Sequence, residues 1–260
     1  MKKPLIVQNG GTVKNLRIEA AFDDDSQNAQ GVFAQYNTGK IQECTVSGTV
    51  TGHMGGQGLQ EFPKFGGIAG ENSGTISGCS SRLNMNLSMP AMKSWAGGIV
   101  GLNKGCVEKC VSSGKITVTQ AEDAGQLYVG GIAGNIYETE VYNSYVEGKV
   151  GSTSADYIGG LVGRMQSGQV KNGRFAGTIG ASTSATLKTA GLFVGYIESG
   201  TVELGDDLAY LYTDSEDKYS LNPFGNKLTP QIRLEHHIGA YYSNQRDYSL
   251  YQLGGFTKQT

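Results

Sequence analysis

The sequence predicts an all-β protein: a parallel β-helix (β-solenoid) of about seven rungs followed by a non-repetitive C-terminal segment. Three observations predict it. A glycine-bracketed apolar phrase returns about every 30 residues, a second phrase follows it at a nearly fixed distance, and a third segment alternates small or polar with β-branched residues.

The first phrase reads Gly66-Gly67-Ile68-Ala69-Gly70, Gly97-Gly98-Ile99-Val100-Gly101, Gly130-Gly131-Ile132-Ala133-Gly134 and Gly159-Gly160-Leu161-Val162-Gly163. Degenerate copies stand at Gly31-Val32-Phe33-Ala34-Gln35 and Gly191-Leu192-Phe193-Val194-Gly195. The second phrase follows as Gly74-Thr75-Ile76-Ser77-Gly78-Cys79 and Gly105-Cys106-Val107-Glu108-Lys109-Cys110. Its later copies are Glu140-Val141-Tyr142-Asn143-Ser144 and Gly168-Gln169-Val170-Lys171-Asn172-Gly173. The third is seen in Ser47-Gly48-Thr49-Val50 and Gly114-Lys115-Ile116-Thr117-Val118. Each is a short, half-buried strand bounded by glycine, so three strands per rung are expected. Stacking then forms two internal ladders, Ile68-Ile99-Ile132-Leu161 and Ile76-Val107-Val141-Val170. A propeller blade needs four antiparallel strands and a longer repeat, and the leucine-asparagine signature of leucine-rich repeats is missing.

Loops of unequal length follow the third strand at Thr51 to Pro63, Asn84 to Ser94, Gln120 to Gln126 and Ser152 to Asp156. Insertions at one corner line one side of a solenoid, where repeat proteins place binding surfaces. The longest loop carries Phe62, and the next ends against Trp95. These aromatics serve either to close the solenoid edge or to touch a ligand. Residues 1–205 form the repeat region. Residues 206–260 are tyrosine-rich and read as a cap or the start of another domain, where Tyr241 and Tyr242 are further candidate ligand contacts.

The string Gly97-Gly98-Ile99-Val100-Gly101-x-Asn103-x-Gly105-x-Val107-x-x-Cys110 resembles the GLUG motif, over roughly residues 4 to 205. GLUG repeats occur in bacterial surface proteins, including adhesin-like proteins and the non-catalytic region of IgA-specific zinc metallopeptidases. The resemblance therefore implies a bacterial protein at the cell surface or outside the cell, with a β-solenoid; it implies nothing about catalysis, because the family's repeats are not known as a catalytic unit. The peptidase's zinc chemistry does not carry over, because no His-Glu-x-x-His string is present.

Composition narrows the function further. A net charge of −2 without a basic stripe argues against nucleic acid as a partner. No apolar run reaches the length of a membrane span, so membrane insertion is not expected. Cys44, Cys79 and Cys110 share one repeat position and are expected to stack as a structural ladder of free, buried thiols. Neither a metal site nor a cofactor is expected: Cys106 and Cys110 lack a second pair, and the adjacent His236 and His237 point to different sides. Acidic runs lie in loops rather than on strands, so no catalytic residues are assigned and an enzyme is not expected. Ranks of Thr-x-Thr that would bind ice do not recur between rungs.

The expected function is a non-catalytic, adhesin-like segment contacting host glycan or surface protein. Met1-Lys2-Lys3-Pro4 enters directly into a rung, which suggests a segment of a larger parent chain with its secretion signal elsewhere. A passive stalk or scaffold beside a catalytic domain is the alternative, and a carbohydrate-active β-helix enzyme, with carboxylates clustered in a groove, is a third.

Overall fold

The computed structural model describes residues 4–24, 29–54, 61–90, 92–120, 126–152, 155–175, 177–181, 189–191 and 193–203. All regular structure among them is β-strand, and every strand pairs in parallel with its copies one turn away. The strands build four sheets that wind as a solenoid. One turn runs through Ala69–Asn72 in the first sheet, Thr75–Ser77 in the second, Ser80–Met89 in the third and Ser94–Gly97 in the fourth.

Two corrections to the sequence reading follow. The expected three strands per rung become four, because a short strand precedes each Gly-Gly pair, as in Leu127–Gly130 and Tyr157–Gly159. Such strands are buried on both faces and so lack the alternation that announces a half-exposed strand. The first and second sheets each hold seven strands, but about five levels are closed turns stacked on both sides. The expectation of about seven rungs counted the open terminal levels with them.

The third strand is also longer than expected. Ser80–Met89 absorbs the first part of the loop read at Asn84 to Ser94, with Leu83, Met85, Leu87 and Met89 inside and Arg82, Asn84 and Asn86 outside. The methionines hid this period-two pattern, since Met is a weak strand signal.

Both expected ladders are present and buried. Ile68, Ile99, Ile132 and Leu161 are fully enclosed, as are Ile76, Val107, Val141 and Val170. At the first ladder's corner the backbone continues the stacking, with Ile68 N–H donating to the Ile99 carbonyl at 2.8 Å and Ile99 N–H to that of Ile132 at 2.9 Å. Corner polar groups are thus paired as thoroughly as those within strands, which burial demands. The corner between the second and third sheets takes the same left-handed residue in each turn. Asn15, Glu43, Gly78, Lys109, Asn143 and Asn172 occupy it with φ between 48° and 62°. Only one of these is glycine, and Asn tolerates that region better than Glu or Lys.

Inside the bend after the first sheet runs a ladder of asparagines. Asn9 Nδ2 donates to Asn37 Oδ1, Asn37 to Asn72, and Asn72 to Asn103, each at 2.7 Å. The same amides also reach turn carbonyls, such as Gly105 O from Asn103 at 2.8 Å. At the next level the register position passes to Ile136 and then Met165, so the polar stack ends and an apolar one continues.

Candidate ligand-binding groove

The Gly-Gly phrase shapes one flank of the solenoid from outside. Between Val100, in the core, and Leu102, on the outer face, the chain bends at Gly101. A Cβ on Gly101 would lie 2.7 Å from the backbone nitrogen of Phe65, which belongs to the fourth sheet. Only glycine permits that approach, so the outer faces of the first and fourth sheets meet in a groove parallel to the stack. Its walls follow from register. The fourth sheet contributes Lys64, Trp95, Tyr128 and Tyr157 at one paired position. The first contributes Glu71, Leu102, Asn135, Arg164 and Tyr196.

Trp95, Leu102, Tyr128 and Tyr157 form a second apolar cluster outside the main core, with Tyr196 packed against it. Tyr128 and Tyr157 stack at 5.0 Å and 9° between planes, and Tyr196 lies 4.7 Å from Tyr157. The Arg164 guanidinium sits 5.4 Å from the Tyr128 ring centre and is also bound by Glu198. Burial raises the Tyr128 hydroxyl well above its ordinary pKa, against the pull of Arg164, so the ring stays neutral.

Toward the N-terminal end the groove widens into a cleft of about 500 Å³. Phe62 and Trp95 meet there edge to face, 5.6 Å apart at 86°. Opposite them stand Leu102, Asn135, Tyr137 and Gln166, with Lys64, Lys104 and Glu61 on the same lining. Lys64 Nζ lies 2.9 Å from Glu61 and 2.8 Å from Glu71, and Lys104 Nζ lies 2.7 Å from the other Glu71 oxygen. Burial alone would lower the Lys64 pKa, but Glu71 and Glu61 outweigh it and the net shift is upward. Burial alone would raise that of Glu71, but Lys104 and Lys64 outweigh it and hold the carboxyl below its ordinary value. Lys64 and Glu71 are therefore both held in their charged forms at neutral pH.

Of the residues singled out from sequence, Phe62 and Trp95 are brought together in this cleft. Phe62 remains 46% exposed, while Trp95 is almost enclosed. Tyr241 and Tyr242 lie outside the described residues, as does all of 206–260. Cys44, Cys79 and Cys110 are free and buried in the main core. Their sulfurs lean on backbone carbonyls, Cys44 on Gln42 at 3.1 Å and Cys110 on Glu108 at 3.2 Å. Among the described residues no cluster of His, Cys, Asp and Glu could hold a metal, and no helix is long and apolar enough to cross a membrane.

Sequence reasoning missed Tyr128, Tyr157 and the lysine-glutamate network. A signal for the aromatics existed: Trp95, Tyr128 and Tyr157 each stand two residues before a Gly-Gly pair. The lysines carried none: Lys64 meets Glu61 beside it and Glu71 across a corner of its own turn, while Lys104 meets Glu71 from the next turn.

The family model described as the GLUG motif matches residues 125–151. That stretch holds Leu127–Gly130, the corner at Ile132, and the strands that follow through Lys149, which is close to one turn of the solenoid. Over residues 125–151 the GLUG resemblance seen in sequence is thus matched, and that stretch folds as part of the β-solenoid. No curated protein matches the chain.

Proposed function

We propose, from a GLUG-motif β-solenoid with an aromatic groove on one flank, that this chain is a non-catalytic, adhesin-like binding segment of a bacterial surface or secreted protein, contacting host glycan or protein. The single observation that carries the reading is the cleft where Phe62 and Trp95 meet a line of polar groups. Binding sites are concave and largely apolar, with a few placed polar groups, and this one rests on sheets whose corners are hydrogen-bonded turn by turn. The non-catalytic part is supported by Glu71, the carboxylate held between the two lysines of the cleft. A general acid needs a raised pKa, whereas two lysines push Glu71 the other way.

The test is a glycan and matrix-protein array probed with the native chain and a Phe62→Ala/Trp95→Ala variant. Specific binding that the variant loses is the expected outcome. Binding retained in full moves the site off this flank, and no binding by either protein favours the passive stalk.

A further inference from the structure

We propose that the cleft beside Phe62 and Trp95 is a subsite for a neutral, hydroxyl-rich saccharide; this rests on the binding function above and supplies its ligand class. Three observations converge on it.

The first is an unpaired donor and an unpaired acceptor on the same lining. Trp95 Nε1 and Asn135 Oδ1 are both buried without a hydrogen-bond partner, in residues only 6% and 1% exposed. Leaving such groups buried and unpaired is unfavourable, and a ligand that pairs them relieves that cost. A sugar hydroxyl both donates and accepts, so a saccharide that seats in the cleft and parts the side chains covering these two atoms can pair the indole N–H with one hydroxyl oxygen and give a hydroxyl proton to the amide oxygen. A purely apolar ligand leaves both unpaired.

The second is charge. The cations of the cleft, Lys64 and Lys104, are already engaged by Glu61 and Glu71. An anionic ligand meets the carboxylates that hold these lysines, and a cationic one meets the lysines that hold these carboxylates, so either faces a like charge beside its partner. A neutral ligand disturbs neither pair, and it can still hydrogen-bond to the exposed edges of Glu61 and Lys104, whose side chains are 48% and 42% accessible. The third is shape and surface. At about 500 Å³ the cleft falls within the range of small-ligand sites, and Phe62 presents an exposed ring against which the C–H face of a sugar can pack.

Trp95 is the only tryptophan of the chain, so its fluorescence reports on this cleft alone. The chain is titrated with neutral glucan, mannan and galactan oligosaccharides, and with uronate and sialylated ones, following Trp95 emission and heat of binding at low and high salt. A neutral oligosaccharide is expected to shift the emission saturably, with an affinity that salt leaves unchanged. Trp95→Phe keeps a ring but removes the N–H, and Asn135→Leu removes the acceptor; each is expected to weaken binding at least tenfold by calorimetry, with an unchanged circular dichroism spectrum. Should a variant fail to fold, the emission of the native chain decides.

Binding restricted to acidic saccharides and weakened by salt overturns the proposal. So does neutral-saccharide binding that leaves Trp95 emission and the Trp95→Phe affinity untouched, or a protein from the array that alone shifts the emission. In those cases the binding function survives without this subsite. If neither saccharides nor array components bind, both readings fall together.

Discussion

Lys109 holds a left-handed backbone, with φ at 52°, in a corner where another turn uses Gly78. That conformation costs an L-residue roughly 1–2 kcal/mol, which glycine avoids at some expense of unfolded-chain entropy. Lys109→Gly is therefore expected to stabilise the fold by about 0.5–1 kcal/mol, read as a higher urea midpoint with an unchanged slope. Glu71 carries the opposite kind of sensitivity. Its pKa is depressed in the fold by Lys104 and Lys64 against the effect of burial. Its contribution is therefore fully present above the unfolded carboxylate value of about 4.3 and is lost as pH falls from there through the folded value. Thermal melts taken downward from pH 5 should show that loss in the native chain. Glu71→Gln should flatten it, while costing roughly 2 kcal/mol at pH 7 because Lys64 keeps Glu61 as a partner.

The elements of this fold are stacks rather than single strands, and the asparagine ladder is the stack with most to lose. Each amide serves both the asparagine beside it and the turn carbonyls, so Asn72 is tied to Asn37, Asn103, Gly74 and Cys106 at once. Asn72→Leu keeps the branching of the side chain but adds bulk and leaves the Asn37 amide and the Asn103 oxygen without their ladder partner. A loss of about 2–6 kcal/mol is expected, the sum of two unpaired buried groups. Ile136 is apolar at the continuation of the same register and sits at 0% exposure, because its neighbour Met165 is apolar too. The position thus accepts either kind of stack, and the penalty belongs to breaking one midway. A denaturant midpoint for Asn72→Leu close to that of the native chain would refute the account.

Across the described molecule, stability comes from one continuous core and parallel pairing from turn to turn, not from covalent ties. Cys44, Cys79, Cys106 and Cys110 are all free, and three of them are enclosed. Burial holds the Cys110 thiol well above its ordinary pKa, while its hydrogen bond with Cys79 pulls that neighbour the other way, so enclosure rather than thiol acidity keeps reagents from the pair. The melting temperature is accordingly expected to be the same with and without a thiol reductant. A fall on reduction would reveal a disulfide that the free-thiol ladder excludes.

The repeat itself determined a good deal. A glycine-bracketed phrase at a steady period specifies strands, corners and a stacked core, and it placed Ile68, Ile99, Ile132 and Leu161 on one ladder before any coordinates. The same periodicity put Cys44, Cys79 and Cys110 at equivalent positions. Tertiary structure alone decided the fourth sheet, since strands buried on both faces carry no alternation to read. It decided the function of the glycines as well: the last glycine of each phrase makes room for a neighbouring sheet's backbone, as Gly101 does for Phe65. Phe62 and Trp95 were picked out as loop aromatics, but their meeting, and the presence of Asn135 beside them, depends on which turns stack. Lys64 finds Glu71 within one turn, and Glu71 finds Lys104 one turn later. Contacts between turns join residues about 30 apart in the chain, so the side chains that build the groove become neighbours only when the solenoid closes.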